Sequence, residues 1–361
     1  MKQHLTHQHG GLPERDFARL SVEPRRVIDF SVNLNPLGCP DIVQSHWGEL
    51  VEGIDRYPSL DGHGIVHYLR ERLGVAADQA LGGNGSTELI YLIPRALGLR
   101  RVAIVTPSYH DYYRASVLAG AGIACIPLTP ETGFQPLSEE RLATALEDAD
   151  ALWLGNPNNP TGTFFPRETL SGLAANHPGK WFIVDEAFMP FLKDWKTESM
   201  AMRPVLPNVL TIHSLTKFYG LAGLRLGGVT GSTEVIERLR EIKEPWTVNS
   251  VSESVAPLLL ECGDYERETL DLVVRERKRL FQALLEVEGL AVFPSRANFL
   301  LCRWDKGPDL DSLIRGLLGL GIYVRDCTNF PGLEKGYFRV AVRSFEDNAR
   351  LVEGLSALSR G

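Results

Sequence analysis

The stretch Thr211–Leu226, TIHSLTKFYGLAGLRL, sets Lys217 behind two hydroxyls, Ser214 and Thr216, with Arg225 following at a short distance. A lysine in this setting suits an amine that carries an aldehyde cofactor, the hydroxyls and the arginine holding that cofactor's phosphate. On its own the same pattern also describes a solvated cation before a Gly-containing turn. The segments upstream decide between the two.

Short apolar runs precede it: RVAIVTP from Arg101, IACIPL from Ile123, ALWLGNP from Ala151, WFIVDEAF from Trp181 and NVLTIHS from Asn208. Each ends in turn or polar residues. Helical patterns near Tyr112–Ala121, Ser138–Leu146 and Arg167–Asn176 separate most of them. Continuous hydrophobicity predicts strands covered on both faces, and alternation with helices predicts a mainly parallel sheet. In such sheets ligands bind beyond the carboxyl ends of the strands.

Three further groups sit in positions of that kind. Gly83-Asn84-Gly85-Ser86-Thr87 reads as a Gly-rich turn opening a helix, where backbone N–H groups and hydroxyls make an anion site. Asn156-Pro157-Asn158-Asn159-Pro160-Thr161-Gly162 is a tight turn able to aim an amide at a ligand. Asp185 ends an apolar strand, where a carboxylate is costly to bury unless it meets a cation or donor. A protonated pyridine nitrogen would supply that partner.

The 361 residues exceed what one core usually serves, so two domains are expected. Residues 1–45, rich in Pro and Gly, read as an arm lying across the body; 46–250 read as the large domain. Past Glu234 a long helical stretch, Val251–Leu290, leads into short strands such as YFRVAVR and helices near Asp311–Leu318 and Asp347–Leu358. That makes 251–361 a smaller α+β domain. A net charge of −7 argues against a nucleic-acid or anionic-membrane partner. The chain has no apolar run long enough for a membrane span and no signal-peptide core near its start. Five scattered cysteines fit a reducing cytoplasm, and His4, His7 and His9 lack the pattern of a metal site.

Together GNGST, NPNNPTG, DEAF and SLTKFYGLAGLRLG resemble the signature set of fold-type I pyridoxal-phosphate enzymes, in the class I/II aminotransferase branch. The resemblance implies an α/β large domain with a seven-stranded, mainly parallel sheet, and pyridoxal 5'-phosphate as cofactor. It implies that Lys217 carries the aldehyde, Asp185 pairs with the ring nitrogen and Asn159 bonds the ring hydroxyl. Gly85, Ser86, Thr87, Ser214 and Arg225 would hold the phosphate, and Tyr109 would stack on the ring. Tyr57 would reach into the neighbouring subunit of a homodimer. Phe188 departs from the pattern, since many relatives carry a tyrosine there.

Within that branch the arm, HGG at His9–Gly11, DFSVNLNPLG at Asp29–Gly38 and RYPS at Arg56–Ser59, is similar to the threonine-phosphate decarboxylases of cobalamin biosynthesis. Leu12 stands where their asparagine is expected. In YFRVAVR, Tyr337, Arg339, Ala341 and Arg343 share one strand face. Arg339 so placed suits a substrate carboxylate, while Arg325 and His9, assisted by Asn33, suit a substrate phosphate; Asn159 is expected to touch substrate as well as cofactor, and Arg343 reads as a surface cation. The resemblance implies decarboxylation of O-phospho-L-threonine to (R)-1-amino-2-propanol O-phosphate, through an external aldimine and a quinonoid. A histidinol-phosphate or related aminotransferase is the alternative. A non-catalytic binding protein on the same fold is the alternative from another class.

Overall fold

The computed structural model describes residues 10–11, 27–306, 309–333 and 335–360. Strand β1 is Ile28–Asp29, in the arm. The next seven strands, β2 (Ala80–Asn84), β3 (Arg101–Thr106), β4 (Gly122–Pro127), β5 (Ala151–Gly155), β6 (Trp181–Asp185), β7 (Val209–Ser214) and β8 (Leu226–Thr230), form one sheet in the order β2-β8-β7-β6-β5-β3-β4. Pairing is parallel from β7 through β6, β5 and β3 to β4, and antiparallel on both sides of β8. The sheet is therefore mainly parallel, with β8 alone reversed.

Its central strands are buried because both faces are covered. Val105, Leu152, Leu154, Phe182 and Val184 pack into one apolar cluster, and Ile104, Trp153, Ile183, Leu210 and Ile212 into another. Neighbouring residues of a strand point to opposite faces, so a strand between two helical layers must be apolar at nearly every position. That is why the runs were continuous.

The glycine-rich strands β2 and β8 lack this signal, and the sequence presented β2 as a turn. The helix Arg167–Asn176 has the expected bounds, whereas the stretch expected as one long helix is broken. Helix Ser250–Leu258 is followed by a 3-10 turn, Leu259–Glu261, and then by Gly263–Leu285. The arm carries a short helix at Asp41–Ser45, and a second short helix, Trp47–Leu50, follows just beyond its expected boundary.

A second, antiparallel sheet has the order β12-β13-β10-β9, from β9 (Leu290–Val292), β10 (Phe299–Trp304), β12 (Arg325–Asp326) and β13 (Tyr337–Ala341). Strand β11 (Ile322–Tyr323) pairs in parallel with β1 and so ties the arm to this region. Phe338, Val340 and Val342 pack with Phe30, Leu280 and Leu284, on the face opposite Arg339. No helix among the described residues is long and apolar enough to cross a membrane.

Candidate active site

A cavity of about 450 Å³ opens beyond the carboxyl ends of the parallel strands. Ser86, Thr87, Tyr109, Asn159, Asp185, Ser214, Lys217 and Arg225 line it on the large-sheet side, and Asn33, Arg325 and Arg339 on the other. The chain folds these distant segments into one space.

The wall that carries Ser86, Thr87 and Arg225, the expected phosphate cup, rests on an interlock between β2, β8 and helix Gly85–Ala96. Gly85 starts the helix with φ +72° and donates its N–H to the Arg225 carbonyl at 2.7 Å. Arg225 itself is left-handed, at φ 57°. A Cβ on Gly85 would lie 2.5 Å from Arg225 Nη2, and one on Gly227 would lie 2.2 Å from the Ser86 nitrogen. Only glycines allow this approach, which brings the helix N-terminus, two hydroxyls and a guanidinium to one wall. Ser214 Oγ lies 2.9 Å from Thr216 Oγ1 beside them. The Glu88 carboxylate turns back to accept from the Asn84 N–H at 2.5 Å and meets Lys243 at 3.5 Å.

Asp185 lies at the end of β6, buried. It accepts from the Ala187 N–H at 2.9 Å and from the Tyr112 hydroxyl at 2.8 Å. Burial raises its carboxyl above the usual range despite those bonds and the nearby Lys217. A carboxylate in this state is stabilised by a cationic partner. Tyr112 stacks on Trp153, with ring centroids 5.1 Å apart, which fixes its hydroxyl.

Lys217 sits in the four-residue helix Leu215–Phe218, directly after β7. Burial first, then the positive charges of Arg339 and Arg225, lower its amine to about 8, against the pull of Asp185. An amine near this value supplies a neutral nucleophile close to physiological pH.

Arg339 and Arg325 are direct cross-strand partners on β13 and β12. Arg339 donates through Nη1 to Asn159 Oδ1 and through Nη2 to the Ser31 carbonyl at 2.8 Å. Among the described residues its buried Nε has no hydrogen-bond partner. Because Asn159 Oδ1 accepts from the guanidinium, its amide nitrogen is left as the donor for a ligand oxygen. Burial lowers Arg339 to about 10, and Arg325 adds to the lowering. Arg325 donates to Asn329 Oδ1 at 2.9 Å, its guanidinium centre 5.5 Å from the Phe330 ring.

Some expected residues fall elsewhere. His9 and Leu12 lie outside the described residues, although Gly10 borders the cavity. Tyr57 is 84% exposed, packs on Trp246 with centroids 5.1 Å apart, and does not border the cavity. Phe188 lines the cavity and packs edge-on against Phe299. Arg343, read as a surface cation, is instead partly buried, pairing with Asp347 at 2.8 Å and donating to the Asp29 carbonyl at 3.3 Å. Sequence reading passed over Tyr112, and over Asp111, which accepts from the Tyr91 hydroxyl at 2.8 Å and lines the cavity. Nothing local marks either residue.

The donor set fits pyridoxal phosphate: a positive cup for its phosphate, a buried carboxylate for its ring nitrogen, an amide donor for its ring oxygen and an amine for its aldehyde. Comparison with known proteins agrees. The chain is 35% identical over 356 residues to a threonine-phosphate decarboxylase of Salmonella typhimurium, covering 98% of this chain and 97% of that one. It is 33% identical over 333 residues to histidinol-phosphate aminotransferase 2 of Archaeoglobus fulgidus, covering 92% and 93%. The crystal structure of L-threonine-O-3-phosphate decarboxylase from Porphyromonas gingivalis superposes with a TM-score of 0.82 at 25% identity, covering 93% of this chain and 100% of the other. The model of aminotransferase class I and II matches residues 25–355. With that match and this cavity, the chain belongs to the class I and II aminotransferase family of pyridoxal-phosphate enzymes.

Proposed function

We propose that the chain is a pyridoxal-phosphate-dependent lyase that decarboxylates O-phospho-L-threonine to (R)-1-amino-2-propanol O-phosphate, serving the nucleotide loop of cobalamin. The observation that carries this reading is the cross-strand pair Arg325 and Arg339, both bordering the cavity. Like charges directly opposite on a sheet are destabilising unless something offsets them. A substrate with both a carboxylate and a phosphate supplies two anionic groups at once. Histidinol phosphate carries a phosphate but no carboxylate.

Bound pyridoxal phosphate supplies an electron sink conjugated to the substrate's α-carbon. The residues of this chain set what happens there. Ser86, Thr87, Ser214 and Arg225 anchor the cofactor's phosphate, and Asp185, held by Tyr112 and the Ala187 N–H, keeps the ring nitrogen protonated. Asn159 donates to the ring oxygen, a role that gains weight because Phe188 has no hydroxyl. Arg339 takes the substrate carboxylate, with Arg325, Asn33 and His9 on its phosphate. That grip would orient the Cα–carboxylate bond for cleavage, its electron pair passing into the cofactor's electron sink as carbon dioxide leaves. Lys217 Nζ, poised near neutrality, then returns a proton to the α-carbon.

Tyr57 serves the neighbouring subunit of a homodimer in this reading. Its exposure beside Trp246, away from its own cavity, supports that role. Residues 1–45 act as an arm over a large domain, 46–250, and a small one, 251–361, of a cytoplasmic enzyme. Incubation with O-phospho-L-threonine should release carbon dioxide without any 2-oxo acid. Conversion of histidinol phosphate only in the presence of 2-oxoglutarate, with no carbon dioxide from phosphothreonine, would assign the aminotransferase activity instead.

A further inference from the structure

The segment Ser31–Gly38 runs from the substrate side of the cavity to the far side of the lysine helix. At one end the Ser31 carbonyl accepts from Arg339 at 2.8 Å, and the Asn33 carbonyl accepts from Asn298 Nδ2 at 3.1 Å. Two residues later Asn35, buried, meets the lysine helix. Its N–H donates to the Lys217 carbonyl at 3.0 Å, and its Nδ2 donates to the Phe218 carbonyl at 2.7 Å. The same Nδ2 donates to Thr269 Oγ1 on the helix Gly263–Leu285, also at 2.7 Å. Its Oδ1 accepts from the Leu37 N–H at 3.0 Å, so the amide is held from each side.

The partners are not arbitrary. A four-residue helix leaves its last carbonyls without intrahelical donors, and those of residues 217 and 218 are the ones Asn35 meets. Contact continues past Asn35, because a Cβ on Gly220 would lie 2.6 Å from the Gly38 carbonyl oxygen. Tyr265 donates to that same oxygen at 2.7 Å. The strap Ser31–Gly38 and the lysine loop are therefore packed against each other without a gap.

We infer that Asn35 is a positioning residue that ties the seating of substrate at Asn33 and Arg339 to the placement of the Lys217 amine. This rests on the reading of Lys217 as the cofactor lysine and of Arg339 as the substrate's carboxylate partner. Substrate binding pulls on the strap at Ser31 and Asn33, and Asn35 passes the displacement to the backbone of Lys217. A misplacement of about 1 Å at a reacting group costs on the order of 100-fold in rate, so a modest slackening is measurable.

The test uses the full-length holoenzyme and the Asn35→Ala variant. With O-phospho-L-threonine, kcat should fall 10-fold or more while KM changes less than threefold, because Arg339 and the phosphate ligands remain. Independently of activity, the pH midpoint of the cofactor's visible absorbance band, measured without substrate, should rise by half a unit or more. The sign follows from burial, which disfavours the protonated nitrogen on Lys217; a loosened loop relieves it. A lowered melting temperature with unchanged midpoint and kcat would reduce Asn35 to a structural residue and overturn the inference. If Asn35→Ala does not fold, Thr269→Val leaves Asn35 in place but unanchored. It should show the same upward midpoint shift and a kcat loss of threefold or more, and parental values for both would overturn the inference. A parent enzyme that releases no carbon dioxide from phosphothreonine refutes the functional reading alone, since the substrate-free midpoint does not depend on the reaction.

Discussion

Gly85→Ala tests the phosphate cup at its tightest point. The new methyl would stand 2.5 Å from Arg225 Nη2 and 3.0 Å from Cζ, at a residue whose φ is +72°. Two costs follow, and they fall on different measurements. Left-handed backbone at a non-glycine residue costs about 1–2 kcal/mol, and that strain lowers the stability of the protein with or without cofactor. On the role proposed for Arg225, displacing the guanidinium removes a charged hydrogen bond to the cofactor's phosphate, worth about 1.5–3 kcal/mol. This second cost appears only in binding, and at about 1.4 kcal/mol per decade it raises the cofactor Kd roughly 10- to 150-fold. Absorbance titration of the cofactor-free protein measures Kd, and thermal unfolding of the same protein measures the strain. Arg225→Lys closes a double-mutant cycle: with the guanidinium gone, Gly85→Ala should add far less to Kd, because the two sites are in contact. A Kd within threefold of the parent, or a strictly additive cycle, would refute the steric argument.

Three other outcomes follow from the same geometry. Tyr112→Phe keeps the stack on Trp153 but removes the 2.8 Å donor to Asp185, costing about 1.5–3 kcal/mol of support to the ionised carboxylate. Its folded carboxyl, already raised by burial, should rise further, so thermal unfolding of the cofactor-free variant should show a larger loss at pH 7.5 than at pH 4.5; a loss independent of pH would contradict this. For Lys217 the sign is opposite, since the folded amine is lowered from 10.5 to about 8. The native state then binds fewer protons than the unfolded state between those values, so the penalty is full below about pH 8 and fades as pH rises toward 10.5. Lys217→Ala should therefore abolish the visible cofactor band, and should relieve a destabilisation in the cofactor-free protein that is greater at pH 7 than at pH 10; a gain that grows with pH would disprove it. Finally, mixing and refolding the inactive Lys217→Ala and Tyr57→Ala proteins should restore activity if Tyr57 serves the partner's site, because the hybrid then holds one intact site. No recovery in hybrids shown to form would place Tyr57 in its own subunit or outside the site.

Much of the site was readable before folding because its chemistry is local. Lys217, Ser214 and Arg225 lie within one short stretch, and Asp185 ends a run whose hydrophobicity already demanded two covered faces. Strands β2 and β8 were the harder elements. Their glycines admit the helix at Gly85, and the same glycines remove the side chains whose pattern would have announced strands.

Sequence alone thus determined the class of sheet and singled out Lys217, Asp185 and the hydroxyls of Ser86, Thr87 and Ser214, which line the cavity, since each depends on residue type at short range. Tertiary structure decided the rest. Tyr112 and Asp185 are 73 positions apart, and Asn35 and Phe218 are 183 apart. Arg325 and Arg339 became a pair only through the register of β12 on β13. No periodicity encodes these meetings, because a hydrogen bond or a like-charge pair across the fold depends on where the intervening chain is carried. The residue types were written in the sequence, and their meeting came from the packing that set the arm, the small sheet and the lysine loop around one cavity.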